Sequence, residues 1–280
     1  MSVKFFLKKK LVKFKKEKVL IHCLQSELLF GRNALVTGGS SGIGYAIAKS
    51  FLNSGADITI CGRNRDRLEH AKAKLVDECH CDTNRIDLLE IDISSVQNIT
   101  STLPQFLNGK KIDIFVNNAG TNGGKPFPDT VEEDYDRVLD TNLKGMYFIS
   151  QEVAKYMVEN KIEGNILNIT SSSSLRPGIS PYIISKWGER SLTIGMAKKY
   201  LPFGIIVNGL APGSTLTPML RNDEENDLYL DYSPSKRYAA PEEIGNLATI
   251  LVSNMGRMIV GETIYATGGS GIITYDDMTY

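Results

Sequence analysis

The stretch TGGSSGIGYAIAK, residues 37 to 49, decides the fold. It follows the apolar run NALVT at 33 to 37, which is typical of a buried strand, and it continues with apolar residues at helical spacing. Its four glycines allow a tight turn and a close approach to a ligand, and the first N–H groups of the helix attract a phosphate. The stretch therefore predicts a strand, a phosphate-binding turn and a helix. The order Gly38-x-x-x-Gly42-x-Gly44 differs from the G-x-G-x-x-G fingerprint.

The alternation of short β-rich runs with helical periods continues along the chain. Further strand candidates are DITIC (57 to 61), DLLEID (87 to 92), IDIFVN (112 to 117), NILNIT (165 to 170), GIIVNGL (204 to 210) and ETIYAT (262 to 267). Such alternation implies right-handed crossovers and a parallel sheet with helices on both faces. We predict a single α/β domain, a Rossmann-type doubly wound parallel sheet, over residues 30 to 280, with an N-terminal extension over residues 1 to 29.

The extension is basic, while the rest of the chain is acidic. Residues 1 to 18 contain eight lysines and one glutamate, a net charge of +7, and the remaining 24 basic and 31 acidic residues give −7. An acidic body is not expected to bind nucleic acid. Apolar residues interleaved with lysines, without a run long enough to span a bilayer, are consistent with weak contact to an anionic membrane, a solvated tail or a strap across a neighbouring subunit. We expect a cytoplasmic protein, with peripheral membrane contact as the open alternative.

The cysteine and histidine content predicts free thiols and no metal site. Four cysteines without a secretory signal are typical of a reducing compartment. The run CHC at 79 to 81 has no second Cys or His pair at metal-binding spacing, so we expect it to lie in an exposed loop.

The stretch PYIISKWGER, residues 181 to 190, places a tyrosine four residues before a lysine. On a helix, Tyr182 and Lys186 would share one face. A free phenol is a poor base at neutral pH, but a nearby cation favours the phenolate. A desolvated lysine, acting with the positive ring of an oxidised nicotinamide, could supply that stabilisation, whereas an exposed pair could not.

Three stretches resemble motifs of the short-chain dehydrogenase/reductase family, in the family's order. They are TGGSSGIG (37 to 44), NNAG (117 to 120) and YIISK (182 to 186), and the resemblance extends from residue 30 to 270. It implies a hydride-transferring oxidoreductase that interconverts a carbonyl and a secondary alcohol. Tyr182 would be the general acid/base, with Lys186 as its electrostatic partner and ribose ligand. The resemblance also implies a homodimer or homotetramer built through helices that include the one after Tyr182.

The same resemblance implies two further catalytic residues. Ser171, in ITSSSSLRP, would hydrogen-bond the substrate oxygen, but the interval to Tyr182 is short for the family, so Ser173 stays open. Asn142, in LDTNLKGMYF, would hold a water beside Lys186 and pass protons to solvent.

The second strand ends with ICGRN, which bears on the choice of cofactor. An acidic residue there would bind the ribose 2′-hydroxyl of NAD, whereas Arg63 could bind a 2′-phosphate, so NADP(H) is favoured over NAD(H). Ser41 stands where some NADP-dependent members carry a basic residue. Thr267 stands where the family commonly has an aspartate before a double glycine.

The resemblance assigns further cofactor contacts. Asp92 would contact the adenine amino group. In APGSTLT (211 to 217), Pro212 and Gly213 would fix the turn over the nicotinamide and Thr217 would bond its carboxamide. The full predicted cofactor-binding set is Thr37, Gly38, Ser40, Ser41, Gly42, Ile43, Gly44, Arg63, Asp92, Ile93, Asn118, Ala119, Gly120, Tyr182, Lys186, Pro212, Gly213 and Thr217.

The charged stretch from 214 to 240 has weak periodicity, and we expect it to be a structureless substrate flap. Two other functions stay open at this point. One is a nucleotide-sugar epimerase or dehydratase, which shares Tyr-x-x-x-Lys but usually has a larger C-terminal domain. The other is a non-catalytic NADP(H)-sensing scaffold.

Overall fold

A parallel seven-stranded sheet forms the centre of the molecule. The computed structural model describes residues 25–219 and 228–273. The strands are β1 (Asn33–Thr37), β2 (Asp57–Gly62), β3 (Ile86–Glu90), β4 (Ile114–Asn117), β5 (Asn165–Ile169), β6 (Ile206–Pro212) and β7 (Thr263–Ala266). Their order is β3-β2-β1-β4-β5-β6-β7, and all six pairings are parallel. All seven predicted strands are present, and their ends differ from the prediction by at most two residues.

In the part of the chain that the structure describes, seven α-helices accompany the strands. They are α1 (Gly42–Asn53), α2 (Arg65–Cys79), α3 (Val96–Leu107), α4 (Glu132–Leu139), α5 (Met146–Glu159), α6 (Pro181–Tyr200) and α7 (Pro241–Val252), with a π-helical segment, Asp140–Gly145, between α4 and α5. Side-chain caps determine where several of these helices begin. Asn64 accepts from the N–H of Arg67 before α2, and Ser180 accepts from the N–H of Ile183 before α6.

Apolar side chains pack on both faces of the sheet. On one face, Phe51 of α1 and Ile244 of α7 belong to a cluster of buried residues that includes Val36 of β1. On the other face, Leu103 of α3 and Ile149 of α5 belong to the second cluster. The sheet is therefore covered by helices on both sides, and the predicted doubly wound, single-domain fold is confirmed.

The strand order reverses between β1 and β4, and this position determines where a ligand can bind. In an open parallel sheet, the loops at the carboxyl ends of two such strands diverge and leave a crevice. Residues 37 to 44 follow β1 and residues 117 to 120 span the end of β4, so both stretches lie at this crevice. The N-terminus of α6, which carries Tyr182, follows β5 at the same edge.

Two segments differ from the prediction. The stretch 214 to 240 was expected to be structureless, but its described parts are held by a parallel bridge between Thr215 and Ala239 and an antiparallel bridge between Tyr229 and Arg237. The run at 79 to 81 was expected to lie in an exposed loop. Cys79 is instead the last residue of α2 and His80 is its exposed C-cap, while Cys79 and Cys81 pack against the apolar core. This packing depends on residues distant in the sequence, which the local pattern does not indicate.

The basic stretch 1 to 18 lies outside the described residues. Within the described ranges, no helix combines the length and the apolar character that a membrane crossing needs.

Candidate active site

The turn after β1 depends on glycine for two different reasons. Gly38 and Gly42 have φ values of +65° and +55°, which residues with a Cβ rarely adopt. At Gly44, an added Cβ would lie 2.3 Å from the carbonyl oxygen of Gly38 and 2.4 Å from Nδ2 of Asn118. Gly38 and Gly42 thus allow the backbone conformation of the turn, and Gly44 lets α1 pack against it.

The NNAG stretch is hydrogen-bonded directly to this turn. Oγ1 of Thr37 accepts from the backbone N–H groups of Asn118 and Ala119 at 2.9 and 3.0 Å and donates to the carbonyl of Val116. Nδ2 of Asn118 donates to the carbonyl of Thr37 at 2.9 Å. Two segments about 80 residues apart in sequence therefore form one rigid wall.

A cavity of roughly 450 Å³ lies against this wall. Every residue of the predicted cofactor-binding set lines it, except Gly44, Pro212 and Gly213. Those three lie just behind the lining. Gly44 packs against the turn, while Gly213 donates to the carbonyl of Ala266 and leaves no room for a Cβ beside Thr267.

Two arginines line the end of the cavity next to β2. Arg63 follows the strand and Arg67 lies in the first turn of α2; both are exposed, and neither forms an ion pair with another described residue. Their neighbour Arg65 is different, because its guanidinium bonds the carboxylate of Glu69 at 2.6 Å. Arg63 belongs to the predicted cofactor-binding set and Arg67 does not. Arg67 stands in the first turn of the helix that follows the strand end, where its side chain borders the same part of the cavity.

The carboxylate of Asp92 borders the same cavity after β3. Its Oδ1 accepts from the backbone N–H and the hydroxyl of Ser94, which hold the side chain in place. Ile93 lines the cavity beside it.

Tyr182 and Lys186 lie one turn apart on α6, and both line the cavity. Tyr182 is half-buried, and Lys186 is only 6% exposed. The Nζ atom of Lys186 is 5.5 Å from the centre of the Tyr182 ring. The pair is therefore not an exposed surface pair, and it faces the same space as the glycine turn.

Lys186 has a partner that the sequence analysis missed. Its Nζ donates to both carboxylate oxygens of Glu189, at 2.8 and 2.9 Å, and to the carbonyl of Ile169 at 3.4 Å. Burial raises the pKa of Glu189 to about 7, against the attraction of Lys186. Burial alone would lower the pKa of Lys186, but the attraction of Glu189 and Tyr182 outweighs it and raises that pKa. The three-residue spacing on α6 was the available signal.

Asn142 is buried in the π-helical segment, and its amide is fully engaged by protein groups. Its Oδ1 accepts from the N–H of Thr121 at 2.7 Å, and its Nδ2 donates to the carbonyl of Thr121 and to the hydroxyl of Ser185. The amide thus ties the loop after β4 to α6. A water held by this residue beside Lys186 stays a prediction.

The serines after β5 lie close to the cavity but do not line it; Thr170 and Ile169 do. Oγ of Ser171 accepts from the N–H of Ser173 at 3.1 Å, and the hydroxyl of Ser174 donates to the carbonyl of Ser171. Ser171 is buried and Ser173 is half-buried.

The site combines a phenol with a buried ammonium at one cavity, an arrangement suited to proton transfer. Within the described ranges, no cluster of three or more His, Cys, Asp or Glu residues could hold a metal ion. The described cysteines, Cys61, Cys79 and Cys81, are free thiols.

Comparison with known proteins agrees with this geometry. The family model for short chain dehydrogenases matches residues 32–228. A gluconate 5-dehydrogenase from Gluconobacter oxydans (strain 621H) is 34% identical over 250 residues, which cover 86% of this chain and 95% of that protein.

Two solved structures are similar along almost their whole length. A gluconate 5-dehydrogenase from Burkholderia cenocepacia J2315, in complex with NADP and tartrate, has a TM-score of 0.79 and 31% identity, with 89% of this chain and 98% of that chain covered. A 3-ketoacyl-(acyl-carrier-protein) reductase from Brucella melitensis, complexed with NADH, has a TM-score of 0.76 and 29% identity, with 87% and 100% covered. With its fold, its motifs and these matches taken together, the chain belongs to the short-chain dehydrogenase/reductase family of oxidoreductases.

Proposed function

We propose that the protein is an NADP(H)-dependent oxidoreductase that interconverts a carbonyl and a secondary alcohol, with Tyr182 as the general acid/base. The observation that carries this proposal is the shared cavity. Tyr182 and Lys186 face the same space as the side-chain-free turn at Gly38 and Gly42. A dinucleotide on that turn would extend towards the tyrosine.

The residues present fit a pyridine nucleotide. The positive φ values of Gly38 and Gly42 leave backbone and the start of α1 facing a pyrophosphate. Asp92 and Thr217 both line the cavity. In this proposal Asp92 would accept from the adenine amino group and Thr217 would bond the carboxamide. When bound, the nicotinamide supplies or accepts the hydride.

Arg63 and Arg67, which form no ion pair with any residue that the structure describes, favour NADP(H) over NAD(H). A 2′-phosphate carries about two negative charges and three acceptor oxygens, and Arg63 and Arg67 present donors to the same end of the cavity. A charge-assisted hydrogen bond contributes about 1.5 to 3 kcal/mol. The family accepts either cofactor, as the NADP and NADH complexes of the two similar structures indicate.

In the reductive direction, Tyr182 gives its hydroxyl proton to the developing alkoxide. Lys186, buried one turn away, favours the phenolate that this step leaves behind. The hydroxyl of Ser171 orients the substrate oxygen after a small reorientation away from the N–H of Ser173. Asn142 holds the loop after β4 against α6 through Thr121 and Ser185. In this proposal it would also hold a water beside Lys186, through which protons return from solvent.

The candidate substrates are compounds that suit the proposed carbonyl–alcohol reaction. 5-Ketogluconate, the oxidised partner of gluconate, and 3-ketoacyl thioesters are the first carbonyl compounds to test, because the similar proteins are named for gluconate and for 3-ketoacyl groups. The stretch 214 to 240 borders the site through Thr217 and Met219 and would select among them. We further propose a homodimer or homotetramer that includes α6, whose side chains Ile184 and Ile194 are exposed.

Isotope transfer tests the reaction class directly. NADPH carrying deuterium at C4 is incubated with the protein and each carbonyl, and the product is analysed by mass spectrometry. We expect deuterium at the carbinol carbon, with a lower rate for deuterated than for ordinary NADPH. A product without deuterium, or no reduction of any compound from either class, would refute the proposal.

A further inference from the structure

Glu189 is a buried carboxylate beside the lysine that the proposed mechanism needs, and that mechanism gives it no role. It is 2% exposed, in the part of α6 that packs against the sheet. Both of its oxygens accept from Nζ of Lys186. An acid of this kind is rarely buried without a paired charge, so the contact is a specific one.

Glu189 occupies most of the hydrogen-bonding capacity of Lys186. An ammonium group has three N–H donors. Two of them reach Glu189 at 2.8 and 2.9 Å, and the third reaches the carbonyl of Ile169 at 3.4 Å. Lys186 is thereby held at a fixed position, 5.5 Å from the centre of the Tyr182 ring.

The position of Glu189 itself is fixed by a buried polar chain. The hydroxyl of Thr193 donates to the carbonyl of Glu189 at 2.8 Å, and Nδ2 of Asn168 donates to that hydroxyl at 2.8 Å. Nδ2 of Asn117 donates to Oδ1 of Asn168 at 2.9 Å. The chain runs from the end of β4 through β5 to the main chain of α6 at Glu189, so it holds the turn of the helix that carries the ion pair.

No other described charge competes for Glu189. The segments β5, β6 and 172 to 175, which pack against α6, contain no charged residue. On α4, α5 and the π-helical segment, the charged side chains are exposed or partly exposed; they are Glu132, Glu133, Asp134, Asp136, Arg137, Asp140, Lys144, Glu152, Lys155 and Glu159. On α6 itself, Arg190 stacks on Trp187 and Tyr265 instead.

We propose that Glu189 is a positioning residue that holds Lys186 and offsets its charge, and that it thereby sets the pH range in which Tyr182 exchanges its proton. This inference rests on the proposed function of the same site. While Glu189 is ionised, the pair with Lys186 is neutral overall, and less positive charge acts on Tyr182. Without that negative charge, Lys186 stabilises the phenolate more strongly, and Tyr182 ionises at lower pH.

The test is a titration that needs no substrate. The ultraviolet absorbance of phenolate is followed against pH for the full chain, and the Tyr182 contribution is isolated by subtracting the curve of Tyr182→Phe. The same difference is taken in the background of Glu189→Gln, which keeps the size and removes the charge. Glu159→Gln, an exposed site on α5, is the matched control.

We expect Tyr182 to ionise about one pH unit lower with Glu189→Gln than in the unaltered protein. The control should leave the ionisation unchanged, and Glu189→Asp, which keeps the charge, should restore most of the original value. Glu189→Leu, which needs no hydrogen-bond partner, repeats the measurement should the glutamine variant fail to fold. An unmoved ionisation, or one moved to higher pH, overturns the inference.

The outcome is separable from that of the proposed function. Reduction that survives Tyr182→Phe would remove the proposed function. If turnover requires Tyr182 but the ionisation of Tyr182 is the same in Glu189→Gln as in the unaltered protein, only the inference about Glu189 is refuted.

Discussion

The ammonium of Lys186 lies 5.5 Å from the centre of the Tyr182 ring, inside the same cavity as the glycine turn after β1. This distance puts a buried positive charge within the range at which a neighbouring charge favours one protonation state of a side chain. Both residues stand on α6, and the carboxylate of Glu189 and the carbonyl of Ile169 hold the ammonium of Lys186 in place. The relationship links the local sequence Tyr-x-x-x-Lys to the chemistry proposed for the site.

Replacement of Arg63 tests the cofactor preference. Arg63→Ala should weaken NADPH binding about 10- to 100-fold and leave NADH binding almost unchanged, because only NADPH carries the 2′-phosphate. Fluorescence titration with each nucleotide provides the dissociation constants. Arg65→Ala is the matched control, since Arg65 stands two residues further on and pairs with Glu69. Equal losses for both nucleotides would contradict a phosphate contact.

A comparison of two serines tests which hydroxyl meets the substrate. Ser171→Ala should lower kcat for carbonyl reduction about 100-fold, because a hydrogen-bond donor to the developing oxyanion is lost. Ser173→Ala should stay within a few-fold of the unaltered enzyme, since its backbone N–H, rather than its hydroxyl, contacts Ser171. The reverse ranking would assign the role to Ser173.

The buried polar chain beneath the site should contribute to stability. Asn168→Ala removes the acceptor of Asn117 and the donor to Thr193, so two buried polar groups lose a partner. We expect the free energy of unfolding to fall by about 3 kcal/mol, measured by urea denaturation. Asn108→Ala, at an exposed position after α3, should change it by less than about 1 kcal/mol. A similar small change at both positions would mean that the chain of amides is not a structural link.

The raised pKa of Glu189 predicts an unusual dependence of stability on pH. The ordinary pKa of this group is 4.5, and in the folded protein it is about 7. Between pH 4.5 and about pH 7, Glu189 is therefore protonated in the folded protein and ionised in the unfolded chain. The stabilisation is therefore present at low pH and is lost as the pH rises through 7. The raised pKa of Lys186 lies above this range and adds no slope there.

The measurement is the difference in unfolding free energy between the unaltered protein and Glu189→Gln. From about pH 5 to about pH 8, the unaltered protein should lose up to roughly 3 kcal/mol relative to the variant. Titrating groups that do not interact with Glu189 cancel in this difference. A difference in unfolding free energy that stays constant across this pH range would mean that Glu189 keeps its ordinary pKa in the folded protein.

The sequence was sufficient for the fold because the decisive signals are local. A β-rich run, a glycine turn and an amphipathic helix each follow from short-range periodicity, and their alternation implies the parallel sheet. Arg63, Tyr182 and Lys186 could be located for the same reason, since each stands at a fixed offset from a strand end or a motif.

The features that the sequence did not predict depend on contacts between residues that are far apart in the sequence. Glu189, in a run with Lys186 and Arg190, resembles one member of an exposed charged helix face, and only packing of α6 against the sheet buries it. The amide of Asn142 likewise depends on Thr121, a residue 21 positions away. The bridges that order parts of 214 to 240 join residues more than 20 positions apart at Thr215 and Ala239.

The most direct test of the central claim is the turnover of Tyr182→Phe with cofactor binding measured on the same sample. Removal of the hydroxyl should lower kcat for NADPH-dependent carbonyl reduction at least about 100-fold, because the proton donor is lost. The dissociation constant for NADPH should change by less than a few-fold. Turnover equal to that of the unaltered protein, with NADPH bound normally, would contradict the account.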